Sequence, residues 1–173
     1  MYERREREAT PTKNRTAVER KSERELVATR TVNGPARLVF EAWTKAELFR
    51  RWWVPKSYGL TVLSCEMDVR VGGRYRLVFG HQASTMEFFG TYREVTPYSR
   101  LVWTNEEGDN GETLTTVTFD ENAGKTLLVV HDLYSSKEAL DAAVASGSTG
   151  GMPETLDQLD ELLVSLGSSS VTK

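Results

Sequence analysis

The sequence has a single cysteine, Cys65, and cannot close a disulfide within itself. Nothing in it asks for an oxidising compartment. Histidine is almost as scarce: His81 and His131 lie far apart in the chain and away from Cys65. That spacing provides no recognisable ligand cluster, so neither a metal nor another cofactor is expected. No apolar run approaches the roughly 20 residues of a membrane span. The opening MYERREREATPTKNR lacks the apolar centre of a signal peptide, and the cytoplasm is the expected address. An excess of positive charge is also missing; the net charge of −3 argues against a nucleic-acid partner. No serine stands in a nucleophile-elbow sequence, and Cys65 falls within a strand-like run.

What is present suits one soluble globular domain. The chain has 173 residues, of which 39% are hydrophobic and 27% charged, enough apolar material for one core. Charge is uneven: residues 1–30 hold nine Lys and Arg against six Asp and Glu, leaving −6 for the remainder. Residues 1–24 read as a charged N-terminal arm, either a solvated tail or a basic contact for an acidic partner. Residues 25–167 form the predicted domain and 168–173 a tail.

Within the domain, ELVATRTV alternates apolar and polar positions and predicts a strand. Asn33-Gly34-Pro35 breaks it, and PARLVFEAW shows helical spacing through Leu38, Val39 and Ala42. TKAE suggests a capping box in which Thr44 opens a second short helix, stopped by Val54-Pro55. The period then switches to two through LTVLSCEMDV, RYRLVF, TMEFFGTYREV, RLVWTNEE, TLTTVTFDE and KTLLVVHDL. Turn-forming residues separate these runs, which predicts an antiparallel meander. Gly72-Gly73 falls at one such turn and precedes no helix, so it reads as a tight turn rather than a phosphate loop. Ser135 opens SSKE, a further capping box, and after SGSTGG a helix restarts at Pro153 with Leu156, Leu159, Leu163 and Leu166 on one face.

The predicted fold class is therefore α+β: a curved, seven-stranded antiparallel sheet around a long C-terminal helix, with two short helices after the first strand. This is a helix-grip arrangement, and the space between sheet and helix is the natural ligand site.

PARLVFEAWTKAELFRRWWVP, DVRVGGRYRLVF, FFGTYREVTPYSRLVWT, KTLLVVHD and GGMPETLDQLDELL follow one another at consistent spacing. In these motifs the chain resembles the START-like SRPBCC superfamily, and within it the family similar to the C-terminal domain of the heat-shock-protein ATPase activator. The likeness spans about residues 25–167 and implies the helix-grip fold. It implies a chaperone as protein partner, and for the wider superfamily lipid carriage, hormone reception or cyclase chemistry. Members often have Gly-Trp at the start of the last helix, where this chain has Gly151-Met152; a flexible thioether there implies a reshaped pocket end. The arm does not correspond to the separate N-terminal domain of the co-chaperone.

The candidate site is an apolar cavity. Trp52 and Trp53 cannot point the same way on a helix, where neighbours lie about 100° apart. Trp52 is expected to face inward and Trp53 to sit at the helix–sheet junction, the alternative being core packing for both. Tyr75, Leu77, Phe79, Phe88, Tyr92, Trp103, Val117 and Phe119 are the expected cavity residues of the strands, with Met152, Leu156 and Leu159 from the last helix. His131 alternates with Leu127 and Val129 and is expected on their face, as a core histidine or a polar anchor. Asp132 should point the other way. The function expected is binding of a small hydrophobic or aromatic molecule. The alternatives are regulation of a chaperone ATPase, or a cyclase- or hydrolase-type enzyme, for which only His131, Tyr75 and Tyr92 are on offer and no catalytic constellation is recognisable. A homodimer is open.

Overall fold

The structure is a computed structural model and describes residues 15–108 and 111–171. The expected arm therefore lies mostly outside the described residues. Its last part forms a strand, β1 (Ala17–Arg20), whose four residues are all exposed. The other strands are β2 (Glu25–Val32), β3 (Thr61–Met67), β4 (Arg74–His81), β5 (Ser84–Thr96), β6 (Arg100–Asn105), β7 (Thr113–Asn122) and β8 (Lys125–Leu133). They form one antiparallel sheet in the order β1-β2-β8-β7-β6-β5-β4-β3, eight strands rather than seven. β1 escapes the sequence reading because AVER buries no alternate face; it adds to the sheet through backbone pairing with β2.

The sheet curls at β5, which pairs with β4 through residues 84–91 and with β6 through residues 92–96. A register irregularity between Tyr92 and Glu94 marks the bend. Gly90 sits at this corner because a Cβ there would lie 1.8 Å from the Thr104 carbonyl oxygen and 2.9 Å from the Tyr75 ring.

Two short helices follow β2: α1 (Ala36–Thr44) and α2 (Ala46–Trp52). Glu121 of β7 accepts the Ala36 amide at 2.9 Å, placing a carboxylate where the first turn of α1 leaves donors unpaired. Thr44 does not cap α2, contrary to expectation. It is the last residue of α1 and its hydroxyl donates back to the Phe40 carbonyl, so Lys45 becomes the junction. The single-turn 3₁₀ segment Lys56–Tyr58 leads into β3.

After β8 come α3 (Lys137–Ser146) and α4 (Met152–Val171). Ser136, one residue past the expected cap, accepts the Ala139 amide at 3.0 Å. Leu156, Leu159 and Leu163 of α4 are essentially inaccessible and form the core with Val32, Val39, Leu101, Val117 and Leu128. Arg30 points inward from β2 and ties the sheet to α4, donating to Asp160 at 2.7 and 3.0 Å and to Asp157 at 2.6 Å. Among the described residues no helix is long and apolar enough to cross a membrane.

Candidate functional site

The sheet grips α4 without filling the space beside it. A cavity of about 990 Å³ lies between the concave face of the sheet, the N-terminal part of α4, α3 and the end of α2. The strands supply apolar walls: Tyr75, Leu77 and Phe79 from β4, Phe88 and Tyr92 from β5, and Trp103 from β6 all line it. Their spacing of two along β4 brings three side chains to one face. Met152 lines the other side, at the start of α4.

The two indoles are placed opposite to expectation. Trp52 is fully buried, donates its Nε1 hydrogen to the Ala42 carbonyl at 2.9 Å and lies outside the cavity lining. Trp53 lines the cavity and stacks on Phe49 at 4.8 Å. Both keep helical backbone geometry at the end of α2 and so project about 100° apart: Trp52 turns toward α1, and Trp53 faces the cavity. Its backbone is then clamped by α4. Gln158 donates to the carbonyls of Trp52 and Val54, each at 2.9 Å, and accepts the Lys56 amide at 2.9 Å. Thr155 donates to the Trp53 carbonyl itself.

Val117, Phe119, Leu156 and Leu159 are buried core residues and are not part of the lining. His131 is on the outer face of β8, where its Nε2 lies 3.1 Å from Glu25 Oε1. That contact is the largest influence lowering the Glu25 carboxyl below its usual range. The inward residues of β8 are Thr126, Leu128, Val130 and Asp132, so Asp132 takes the place expected for His131. Alternation could not reveal this: Leu127, Leu128, Val129 and Val130 are apolar in both phases of the strand.

Asp132 belongs to a run of polar groups along one end of the cavity, beside the β6–β7 connection. Tyr75 donates its hydroxyl to the Thr104 carbonyl at 2.8 Å and lies 3.1 Å from Asn105 Oδ1. Asn105 Nδ2 donates to Thr115 Oγ1 at 2.8 Å and to the Thr113 carbonyl at 3.2 Å. Thr115 in turn donates to Asp132 Oδ1 at 2.6 Å. Burial pushes the Asp132 carboxyl above its ordinary range, with the Thr115 hydrogen bond opposing. Glu107 also faces the cavity; burial raises it too, although its Oε1 accepts the Phe89 amide at 3.1 Å. The hydroxyls of Tyr75, Tyr92 and Tyr134 are all shifted up, chiefly by burial. Outside the cavity, burial likewise raises the Cys65 thiol.

The cavity thus combines aromatic walls with a short acidic rim at one end. It can hold an apolar body and offer hydrogen bonds to one end of it. Among the described residues, no group of three or more His, Cys, Asp or Glu is arranged to hold a metal ion.

The sequence pattern of the family described as Activator of Hsp90 ATPase homolog 1-like protein matches residues 33–164. A crystal structure of a Rhodobacter sphaeroides protein is similar at 26% identity, with a TM-score of 0.80 and coverage of 87% of this chain and 99% of that one. A Chromobacterium violaceum protein is 28% identical, with a TM-score of 0.68 and coverage of 81% and 97%. A Nitrosomonas europaea protein shares the fold at 24% identity, with a TM-score of 0.77 and coverage of 86% and 99%. No curated protein matches the chain.

Proposed function

The chain belongs to the family of Activator of Hsp90 ATPase homolog 1-like proteins, and from that premise we propose that it binds a small apolar or aromatic molecule in its internal cavity. The observation that carries this reading is the cavity itself: about 990 Å³, with Trp53, Leu77, Phe79, Phe88 and Trp103 on its walls. That volume is at the upper end of the range typical of small-molecule pockets. Aromatic walls favour a flat apolar guest, and burying about 200 Å² of its surface is worth roughly 5 kcal/mol. A simple probe such as 2-naphthol should then bind with a Kd of roughly 0.2 mM.

Calorimetric titration of the protein with 2-naphthol tests the proposal. One saturable site is expected, and Ala143→Trp, which projects an indole into the cavity from α3, should weaken it at least tenfold. Non-saturating heats, or equal binding by a folded Ala143→Trp protein, would remove the reading. The setting proposed is the cytoplasm, where the unpaired Cys65 stays reduced.

A second reading comes from the family description, which names an activator of Hsp90 ATPase. In that case this chain contacts the chaperone and raises its rate of ATP hydrolysis, and Ala143→Trp leaves the stimulation intact. An ATPase assay with and without the chain separates the two readings.

A further inference from the structure

The hydrogen bonds along the acidic end of the cavity all run in one direction. Tyr75 spends its proton on the Thr104 carbonyl. Both amide hydrogens of Asn105 are used, on Thr113 and on Thr115. The Thr115 hydroxyl hydrogen goes to Asp132 Oδ1. Every donor in this run is committed, and the run ends on the Asp132 carboxyl, which is acceptor-only once ionised. Among the described residues, Thr115 is the one hydrogen-bond donor to Asp132, and its contact is with Oδ1. Glu107 repeats the pattern, with its Oε1 satisfied by the Phe89 amide. The hydroxyls of Tyr92 and Tyr134 can give or accept and decide nothing. Among the described residues the lining includes Asp132 and Glu107 but no lysine, arginine or histidine.

From this arrangement, and resting on the cavity-binding reading above, we propose that the cavity selects ligands with an aromatic or aliphatic body and a basic amine head, held by Asp132. The amine supplies a charged donor, which the lining lacks among the described residues. Its proton also lets the Asp132 carboxyl ionise inside the cavity, since an ammonium within hydrogen-bond reach offsets the desolvation that raises it. A ligand carboxylate meets the opposite situation. It would place a second acid beside Asp132 and Glu107 with no cation to compensate, so one proton would have to be taken up on binding. Trp53 and Trp103 on the walls add faces on which a cation is stabilised.

Three probes that share a ring system and differ only at the head make the test: 1-naphthylmethylamine, 1-naphthalenemethanol and 1-naphthoic acid, titrated at pH 7 into the full chain. The expected order of affinity is amine, alcohol, acid, with at least tenfold between first and last. Asp132→Asn keeps an acceptor for Thr115 and should bring the amine to within about twofold of the alcohol, whereas Glu107→Gln should preserve most of the amine's advantage. The ranking in the unaltered protein stands as a test even if a variant fails to fold. The acid binding as well as the amine overturns the proposal, as does an amine preference that survives Asp132→Asn; in both cases cavity binding itself remains. If none of the three probes binds, the cavity reading falls and the selectivity falls with it.

Discussion

A carboxyl group on the wall of an apolar cavity is maintained against its own solvation. Asp132 has one hydrogen bond from Thr115 to offset burial, and burial dominates. The consequence for stability has a definite sign. A carboxyl whose folded-state pKa is raised binds its proton more tightly in the folded chain than in the unfolded one. Folding is then penalised as pH rises from about 4, the unfolded value, through the raised folded value. Asp132→Asn removes that penalty. Its melting temperature should equal that of the parent near pH 4 and exceed it by a few degrees at pH 8, read by thermal denaturation across that range. A variant less stable at pH 8 than at pH 4, relative to the parent, would mean that the carboxylate is better solvated than its surroundings suggest. The two adjacent indoles separate in the same way. Trp52→Phe should cost about 2–3 kcal/mol in urea unfolding, since it leaves a void and an unpaired carbonyl at Ala42. Trp53→Phe should cost less and should reduce the fluorescence response to a bound naphthyl probe, which Trp52→Phe should leave intact, because Trp53 lines the cavity with Trp43 and Trp103 whereas Trp52 does not. Equal responses from both variants would contradict the placement.

At the scale of elements, α4 does more than cover the sheet. Through Gln158 it holds the chain on either side of Trp53, so that the wall of the cavity is set by a helix more than a hundred residues away in sequence. Gln158→Leu would leave two carbonyls and one amide without this partner in a site where the side chain is buried. A loss of about 2–4 kcal/mol in unfolding free energy is expected, together with weaker naphthyl binding from a loosened Trp53. Unchanged stability would show that the clamp is replaced by other contacts. The helices and long strands were legible in the sequence because each buries one face at a regular period, as Leu156, Leu159 and Leu163 do on α4. β1 was not, because it has no buried face to leave a pattern. The phase of β8 was not either, since its four central residues are apolar whichever way they point, and the choice between His131 and Asp132 is made by pairing with β7 and β2. The Trp52–Trp53 order depended on which way α2 is rotated about its axis, and two adjacent indoles about 100° apart fit either rotation until α1 supplies the Ala42 carbonyl to Trp52.

For the whole molecule, the bent sheet, the clamped turn after α2 and α3 beside the cavity have one common result, a largely apolar space, partly open to solvent, with an acidic end. The aromatic content that made a cavity legible in the sequence is largely on its walls, in Tyr75, Phe79, Phe88, Tyr92 and Trp103. The acidic end was not legible because Asn105, Glu107, Thr115 and Asp132 come from three strands and one connection, and their meeting is a product of sheet register. The proposed role of this space is to take up a small molecule. Soaking crystals of the protein with 1-bromonaphthalene and recording anomalous scattering at the bromine edge locates such a guest directly. A bromine peak is expected inside the cavity, within contact distance of Trp53 and Phe88. Bromine found only at the molecular surface, with the cavity filled by ordered water, would contradict it.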